Sequence, residues 1–277
     1  MKIKLDKLIL GTWKMGDIKS EYNREIESVQ YAVESGINYI DTAEMYGDGR
    51  SEALIGEALK GYDRSRLFLI SKVLPGNANK RSIYRSVENS LKNMKTDYLD
   101  LYLLHWIGFD TNLEEVVILM EDLKRQNLIR NWGVSNFDTN DMKELFKIDN
   151  GDRCVTNQVL YNLDSRGIEY DLLPYHNKMG IATMAYCPMA HGLELNYKLN
   201  ENELLISLSK KYEISIPQIL LNFVLSKEGV SAVAKSSRKE HINQMLESRK
   251  IEISKGDFDK IDLQFPAPRT KQPLEVV

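Results

Sequence analysis

Four side chains define the chemistry open to this sequence: Asp41, Tyr46, Lys72 and His105. A phenol such as Tyr46 can give up a proton, but with a pKa near 10 it holds that proton too tightly at neutral pH unless a neighbour favours the phenolate. An ammonium does so, and Lys72 beside Tyr46 lowers its pKa. Asp41 pairs with the ammonium, which burial would otherwise penalise. An imidazole at His105 donates a hydrogen bond to a substrate oxygen and orients it. The set suits hydride delivery to a carbonyl carbon, where negative charge builds on oxygen and must be stabilised and protonated, and it suits the reverse reaction. A positioned acid contributes roughly 10²–10⁴ in rate, about 3–5 kcal/mol off the barrier. Each member alone has an ordinary explanation: helix cap, loop aromatic, solvated strand boundary, core histidine. The reading rests on their occurring together.

These residues cooperate only if the chain brings them to one place. Short apolar or β-branched runs recur near 8–13, 37–41, 67–72, 99–105, 129–134, 154–159, 181–186 and 230–234, and an amphipathic stretch follows each. Asp41, Lys72 and His105 end the second, third and fourth runs, and Tyr46 lies in the loop after the second. Alternation of strand and helix predicts a parallel sheet. Eight such units without a composition break predict one α/β domain over 1–277, a (β/α)8 TIM barrel, with reactive groups at the C-terminal strand ends. A doubly wound sheet is the alternative.

Local signals agree with this plan. The first helix covers 21–35 and stops at Gly36. The second starts at Ser51 as N-cap, with Glu52 near its positive end. The fourth, 113–126, carries Val116, Val117, Met120 and Leu123 on one side. The last unit is long enough for an extra helix, such as 217–225, before the eighth strand. Three prolines after Phe265 predict a short irregular tail.

Composition narrows the function classes. The chain has 277 residues, 43% hydrophobic and 28% charged, with net charge −3. That balance is ordinary for a soluble globular protein and offers nothing to nucleic acid or anionic lipid. The longest apolar run, 116–120, is too short to span a bilayer, and the first residues lack the apolar core of a signal peptide. Two cysteines, Cys154 and Cys187, cannot build a disulfide framework. A cytoplasmic enzyme or binding protein is expected.

The motifs D-T-A-E-M-Y-G (41–47), the strand-end Lys72 and L-L-H-W (103–106) resemble the aldo-keto reductase family. The resemblance implies that Tyr46 is the proton donor, Lys72 its partner, Asp41 the supporting carboxylate and His105 the group that orients substrate. It runs almost end to end. G-T-W-K-M (11–15) is similar to the family's opening turn and implies cofactor contacts from Thr12 and Trp13, with Asp41 nearby. W-G-V-S-N-F (132–137) implies that Ser135 and Asn136 hold a nicotinamide carboxamide, and N-Q-V-L-Y-N (157–162) adds Gln158. A-Y-C-P-M-A-H-G (185–192) implies Tyr186 stacked on the nicotinamide ring, with Cys187, Pro188 and Met189 beside it. Trp13 and Trp106 join Tyr46 and His105 around a small aldehyde, ketone or alcohol substrate.

A nicotinamide cofactor needs an anion site, and no G-x-G-x-x-G follows the first strand. The closest string, Gly47-Asp48-Gly49, is rejected because Glu52 stands where a third glycine is needed and would repel a pyrophosphate. After the eighth run, V-A-K-S-S-R-K-E-H (233–241) places Lys235, Ser236, Ser237 and Arg238 at a helix start, which reads as an anion site. Lys235 and Ser236 match the family's 2′-phosphate contacts and imply NADP. His241 stands where the family often has Arg. Either Arg238 supplies the charge or NAD is also accepted. Gln244 matches an adenine contact, whereas Met245 replaces the usual Asn and Cys187 a common Ser.

The remaining polar residues carry less. No metal-ligand spacing links His176, His191 and the cysteines. His176 reads as a surface residue, His191 as one that approaches cofactor or substrate, and Cys187 as an inert thiol rather than a redox-sensitive one. Two further functions fit the same sequence. One is an NADP-binding barrel that acts as a sensor or regulatory subunit. The other is an isomerase or lyase that forms a Schiff base on Lys72.

Overall fold

Strands that are apolar on both faces belong to a parallel sheet covered by helices, and these eight runs form one. The structure is a computed structural model that describes residues 3–277, the side chains of 193–196 excepted. Its strands are β1 (Leu8–Gly11), β2 (Tyr39–Asp41), β3 (Phe68–Val73), β4 (Leu99–Leu104), β5 (Ile129–Ser135), β6 (Thr156–Leu160), β7 (Ala182–Tyr186) and β8 (Val230–Lys235). Each pairs in parallel with the next, and β8 pairs with β1, so the sheet closes into a barrel. The doubly wound alternative is thereby excluded.

Strand periodicity of two decides which residues face inward. Ile9, Ile70, Leu101, Leu103, Met184 and Val233 form the inner cluster. One pleat further along the same strands stand Gly11, Lys72, His105, Tyr186 and Lys235. The inner face therefore changes from apolar filling to chemical groups at the C-terminal mouth. Gly133 gives the filling room, because a Cβ there would lie 2.6 Å from the Thr156 carbonyl oxygen.

Helices α1 (Tyr22–Glu34), α2 (Arg50–Ala58), α3 (Ile83–Met94), α4 (Leu113–Arg125), α5 (Thr139–Leu145) and α6 (Leu172–Met179) follow the first six strands. Their apolar stripes cover the outer face of the sheet. Val29, Leu54, Val87, Val116 and Leu123 pack there against Leu8, Leu69, Tyr102 and Trp132. Helix α1 ends as expected, with Gly36 in the left-handed region at φ 96°.

Three sequence expectations need correction. Helix α2 begins at Arg50 behind Gly49, whose φ is 83°, and Ser51 is not its cap. The Ser51 hydroxyl instead donates to Thr12 Oγ1 at 2.8 Å, which ties α2 to the end of β1. The long last unit holds two helices, α7 (Leu193–Asn200) and α8 (Glu203–Tyr212), in addition to the expected one at α9 (Ile216–Leu225). After β8 the chain forms α10 (Lys239–Ser248) and α11 (Lys255–Gln264) before the irregular tail. Finally, His176 is not a surface residue but fully buried on α6. Among the described residues, no helix is long and apolar enough to cross a membrane.

Candidate active site

The strand ends converge as the sequence required. Lys72, fully buried on the inner face of β3, donates from Nζ to Asp41 Oδ2 at 2.7 Å, to the Thr42 carbonyl at 2.8 Å and to the Tyr46 hydroxyl at 3.2 Å. Three acceptors satisfy all three ammonium donors. Burial alone would lower the lysine pKa, but Asp41 and then Tyr46 outweigh it and hold the amine protonated. The Schiff-base reading needs a free amine there and is not supported.

Tyr46 differs from the sequence expectation in its net direction. Burial raises its pKa, Lys72 lowers it and Asp41 raises it again, and the balance lies above the usual tyrosine value. The ammonium pulls as expected but does not win. At rest Tyr46 is therefore a phenol carrying its proton, the form an acid needs.

His105 stands 5.9 Å from Tyr46, ring to ring, in an edge-on arrangement. Burial first, then the charge of Lys72, pushes the imidazole pKa down to about 3, so the ring is neutral. Its buried Nδ1 has no hydrogen-bond partner among the described residues. Buried polar atoms are otherwise nearly always paired; the ring itself borders a cavity.

Tyr46 and His105 line a cavity of about 280 Å³ together with Thr12, Trp13, Asp41, Ser135, Asn136, Gln158, Tyr186, Cys187, Pro188 and Met189. Gly11, Met45, Ala190, His191, Val233, Lys235 and Val277 complete its wall, and of these the sequence had marked His191 and Lys235. Gly11, Met45, Ala190 and Val233 lie inside the quoted motifs without being singled out, and no motif covers Val277. Trp13 is partly exposed and faces His191 at 5.6 Å between ring centroids. Cys187 Sγ lies 3.7 Å from His191 Nδ1, and burial pushes the thiol up to about 11, away from the reactive thiolate. Trp106 is a correction: it packs on His105 at 4.8 Å but does not line the cavity.

The far wall is held by its own hydrogen bonds. Ser135 Oγ donates to the Gln158 carbonyl at 2.8 Å. Asn136, at φ 59°, donates from Nδ2 to the His105 carbonyl at 3.1 Å and accepts from the Tyr186 hydroxyl at 3.0 Å. Gln158 Nε2 donates to Asp41 Oδ1 at 2.8 Å, a bond that no sequence signal announced.

A second cavity of about 280 Å³ adjoins the first and shares Met189, Ala190 and Lys235 with it. Ser236, His241, Gln244 and Met245 line its far part. Ser237 and Arg238, both expected there, line neither cavity, because the chain turns outward at Ser236, whose Oγ accepts from the Arg238 amide at 3.1 Å. Lys235 has no hydrogen-bond or ion-pair partner among the described residues. Packing around its ammonium lowers its pKa; Glu25 opposes this, and Arg24 and Lys14 add to it. An elongated groove with a cation free of protein partners among the described residues at its waist fits a dinucleotide carrying phosphates. Among the described residues, no group of three or more His, Cys, Asp or Glu could hold a metal ion.

Comparison with known proteins agrees with this geometry. The model of the Aldo/keto reductase family matches residues 7–263. Methylglyoxal reductase YeaE of Escherichia coli K12 is 43% identical over 267 residues, covering 96% of this chain and 93% of that protein. Glyoxal reductase of Bacillus subtilis is 33% identical over 242 residues, covering 87% and 83%. The crystal structure of an aldo/keto reductase from Klebsiella pneumoniae in complex with NADP and acetate superimposes with a TM-score of 0.96 at 41% identity, covering 99% of this chain and 96% of that one.

Proposed function

The chain belongs to the aldo/keto reductase family, whose members are NADP(H)-dependent oxidoreductases that reduce carbonyls to alcohols, and from that premise we propose that Tyr46 protonates the oxygen of a small reactive aldehyde of the α-oxoaldehyde kind. The observation that carries the reading is the buried triangle of Lys72, Asp41 and Tyr46 at the floor of the first cavity. The names of the two relatives, reductases of methylglyoxal and glyoxal, support the substrate class.

The chain's own residues divide the work. His105, neutral and lining the cavity, orients the carbonyl oxygen. As that oxygen gains negative charge it becomes a far stronger base than a phenolate, so the proton passes from the Tyr46 hydroxyl to it. Lys72, 3.2 Å away, stabilises the phenolate left behind. Asp41 keeps the ammonium in place. Bound in the groove, the nicotinamide cofactor supplies the hydride. Ser135, Asn136, Gln158 and Tyr186 would hold its nicotinamide end, with Thr12, Trp13, Cys187, Pro188 and Met189 beside it. Lys235 and Ser236 would take the phosphates, and Gln244 and His241 would border the adenine end. Cys187 stays a packing thiol in this account.

As part of the same proposal, the chain works as one barrel domain in the cytoplasm, with NADP as the cofactor used and NAD a weaker one. The test is loss of NADPH absorbance with methylglyoxal and with an aromatic aldehyde. Steady turnover with the α-oxoaldehyde is expected. A flat trace across an aldehyde panel, despite tight NADPH binding, would instead make the chain a sensor or regulatory barrel.

A further inference from the structure

His176 is a buried titratable group outside both cavities. It lies on α6 with no solvent exposure, and both ring nitrogens are engaged. Nδ1 is 2.8 Å from Thr183 Oγ1 on β7, and Nε2 is 3.3 Å from Asn157 Nδ2 on β6. Asn157 in turn grips one backbone residue. Its Nδ2 donates to the Phe137 carbonyl at 2.8 Å, and its Oδ1 accepts from the Phe137 amide at 3.4 Å.

The position of this grip gives it meaning. The β5–β6 ladder ends with Val134 opposite Asn157 and Ser135 opposite Gln158. Asn136 then turns into the left-handed region at φ 59°, a conformation that side-chain-bearing residues avoid unless their surroundings hold them there. Beyond the turn, the Asn157 carboxamide replaces the missing strand partner and fixes the chain at Phe137. One end of the Ser135–Asn136 turn is thus held by the sheet and the other by Asn157.

The hydrogen-bond pattern permits one arrangement of protons. The Asn157 amide has two hydrogens. One goes to the Phe137 carbonyl, and the other points at His176 Nε2, which must accept it. Nδ1 therefore carries the ring hydrogen and gives it to Thr183. Flipping Asn157 would break both bonds to Phe137, so Phe137 sets the orientation of the amide and His176 takes up its second hydrogen. A leucine in the same space would bury more apolar area but could not accept that hydrogen.

We propose that His176 is a positioning residue for the catalytic cavity: by accepting from Asn157 it fixes the carboxamide that holds Phe137, and thereby the Ser135–Asn136 turn against the nicotinamide end of the cofactor. The inference rests on the reading that Asn136 holds the nicotinamide. It adds a structural cause located in the helix layer, behind the sheet.

The test compares His176→Leu, His176→Gln and Asn136→Ala in two binding measurements. One is the Kd for NADPH by quenching of protein fluorescence, and the other is the Kd for 2′,5′-ADP, which has no nicotinamide. His176→Leu should raise the NADPH Kd about tenfold, the scale of one lost buried hydrogen bond, and leave 2′,5′-ADP binding unchanged. Glutamine can accept with Oε1 and donate with Nε2, so His176→Gln should recover most of the loss. Equal weakening of both ligands, or a Gln variant no better than Leu, overturns the proposal. So does a native NADPH Kd in His176→Leu while Asn136→Ala is impaired. If Asn136→Ala itself binds NADPH normally, the underlying reading of Asn136 fails along with the proposal. Should His176→Leu not fold, Thr183→Val removes only the hydroxyl that seats Nδ1; it should raise the NADPH Kd alone by about threefold, and no change would overturn the proposal.

Discussion

Gln158 donates from Nε2 to Oδ1 of Asp41 at 2.8 Å, crossing the barrel from β6 to β2. Asp41 is therefore held from two sides, with Lys72 on its other oxygen. This bond connects the wall proposed to hold nicotinamide to the floor proposed to move the proton, so a change in Gln158 should reach both functions.

Replacing Gln158 separates loss of the bond from reversal of its sign. Gln158→Ala removes a donor to a charged acceptor, and such bonds contribute about 1.5–3 kcal/mol. Gln158→Glu sets a carboxylate against Asp41, where like charges repel. Both variants should lose turnover, and Glu should lose more turnover and more thermal stability than Ala. Equal losses in steady-state kinetics and thermal melts would mean that the bond to Asp41 is incidental.

The buried ion pair makes a second prediction. Lys72→Met leaves Asp41 charged and uncompensated, which costs about 3–5 kcal/mol in comparable pairs. Asp41→Asn combined with Lys72→Met should recover much of that stability, because no unpaired charge remains. Turnover should stay abolished in both, since nothing is left to stabilise the phenolate. Chemical denaturation alongside initial rates checks this, and a double mutant no more stable than the single one contradicts it.

The waist of the groove makes a third. Lys235→Met removes an ammonium that has no hydrogen-bond or ion-pair partner among the described residues, and should raise the NADPH Kd by about ten- to a hundredfold. The NADH Kd should rise less. Arg238→Met should have the smaller effect, because its side chain lines neither cavity. Titration of each variant with both cofactors decides the matter, and an Arg238 effect larger than that of Lys235 would move the phosphate site.

Acid stability offers a fourth. Burial holds His176 down to about 4, while the unfolded chain titrates near 6.5. As pH falls between these values, the unfolded state takes up the proton and the native state does not, so stability falls with pH. By pH 4.5 the loss from this group is on the order of 2–3 kcal/mol. His176→Gln cannot titrate, so it should lose correspondingly less between pH 7 and pH 4.5 in urea unfolding. Parallel profiles would show that the imidazole does not stay neutral in the fold.

Much of this was readable in advance because the barrel repeats a simple pattern. Alternation of strand and helix located all eight strands, and the strand ends marked Asp41, Lys72 and His105. What escaped depended on direction and distance. His176 lies between polar neighbours in P-Y-H-N-K-M and reads as exposed, while the partners that bury it, Asn157 and Thr183, come from other strands. Ser51 has the chemistry of a cap, but Gly49 can take the left-handed turn, so the helix starts earlier and the hydroxyl serves Thr12. Ser237 and Arg238 follow Lys235 in sequence but leave the groove because Ser236 turns the chain. The net direction at Tyr46 depended on how deeply the hydroxyl is packed, which spacing does not reveal.

The most direct test of the central claim is single-turnover reduction of methylglyoxal by Tyr46→Phe bound to NADPH. If Tyr46 supplies the proton, the rate of hydride transfer should fall by at least two orders of magnitude while the NADPH Kd stays within about twofold of the wild type. A near-normal rate in this variant would contradict the account and move the acid to another group in the cavity.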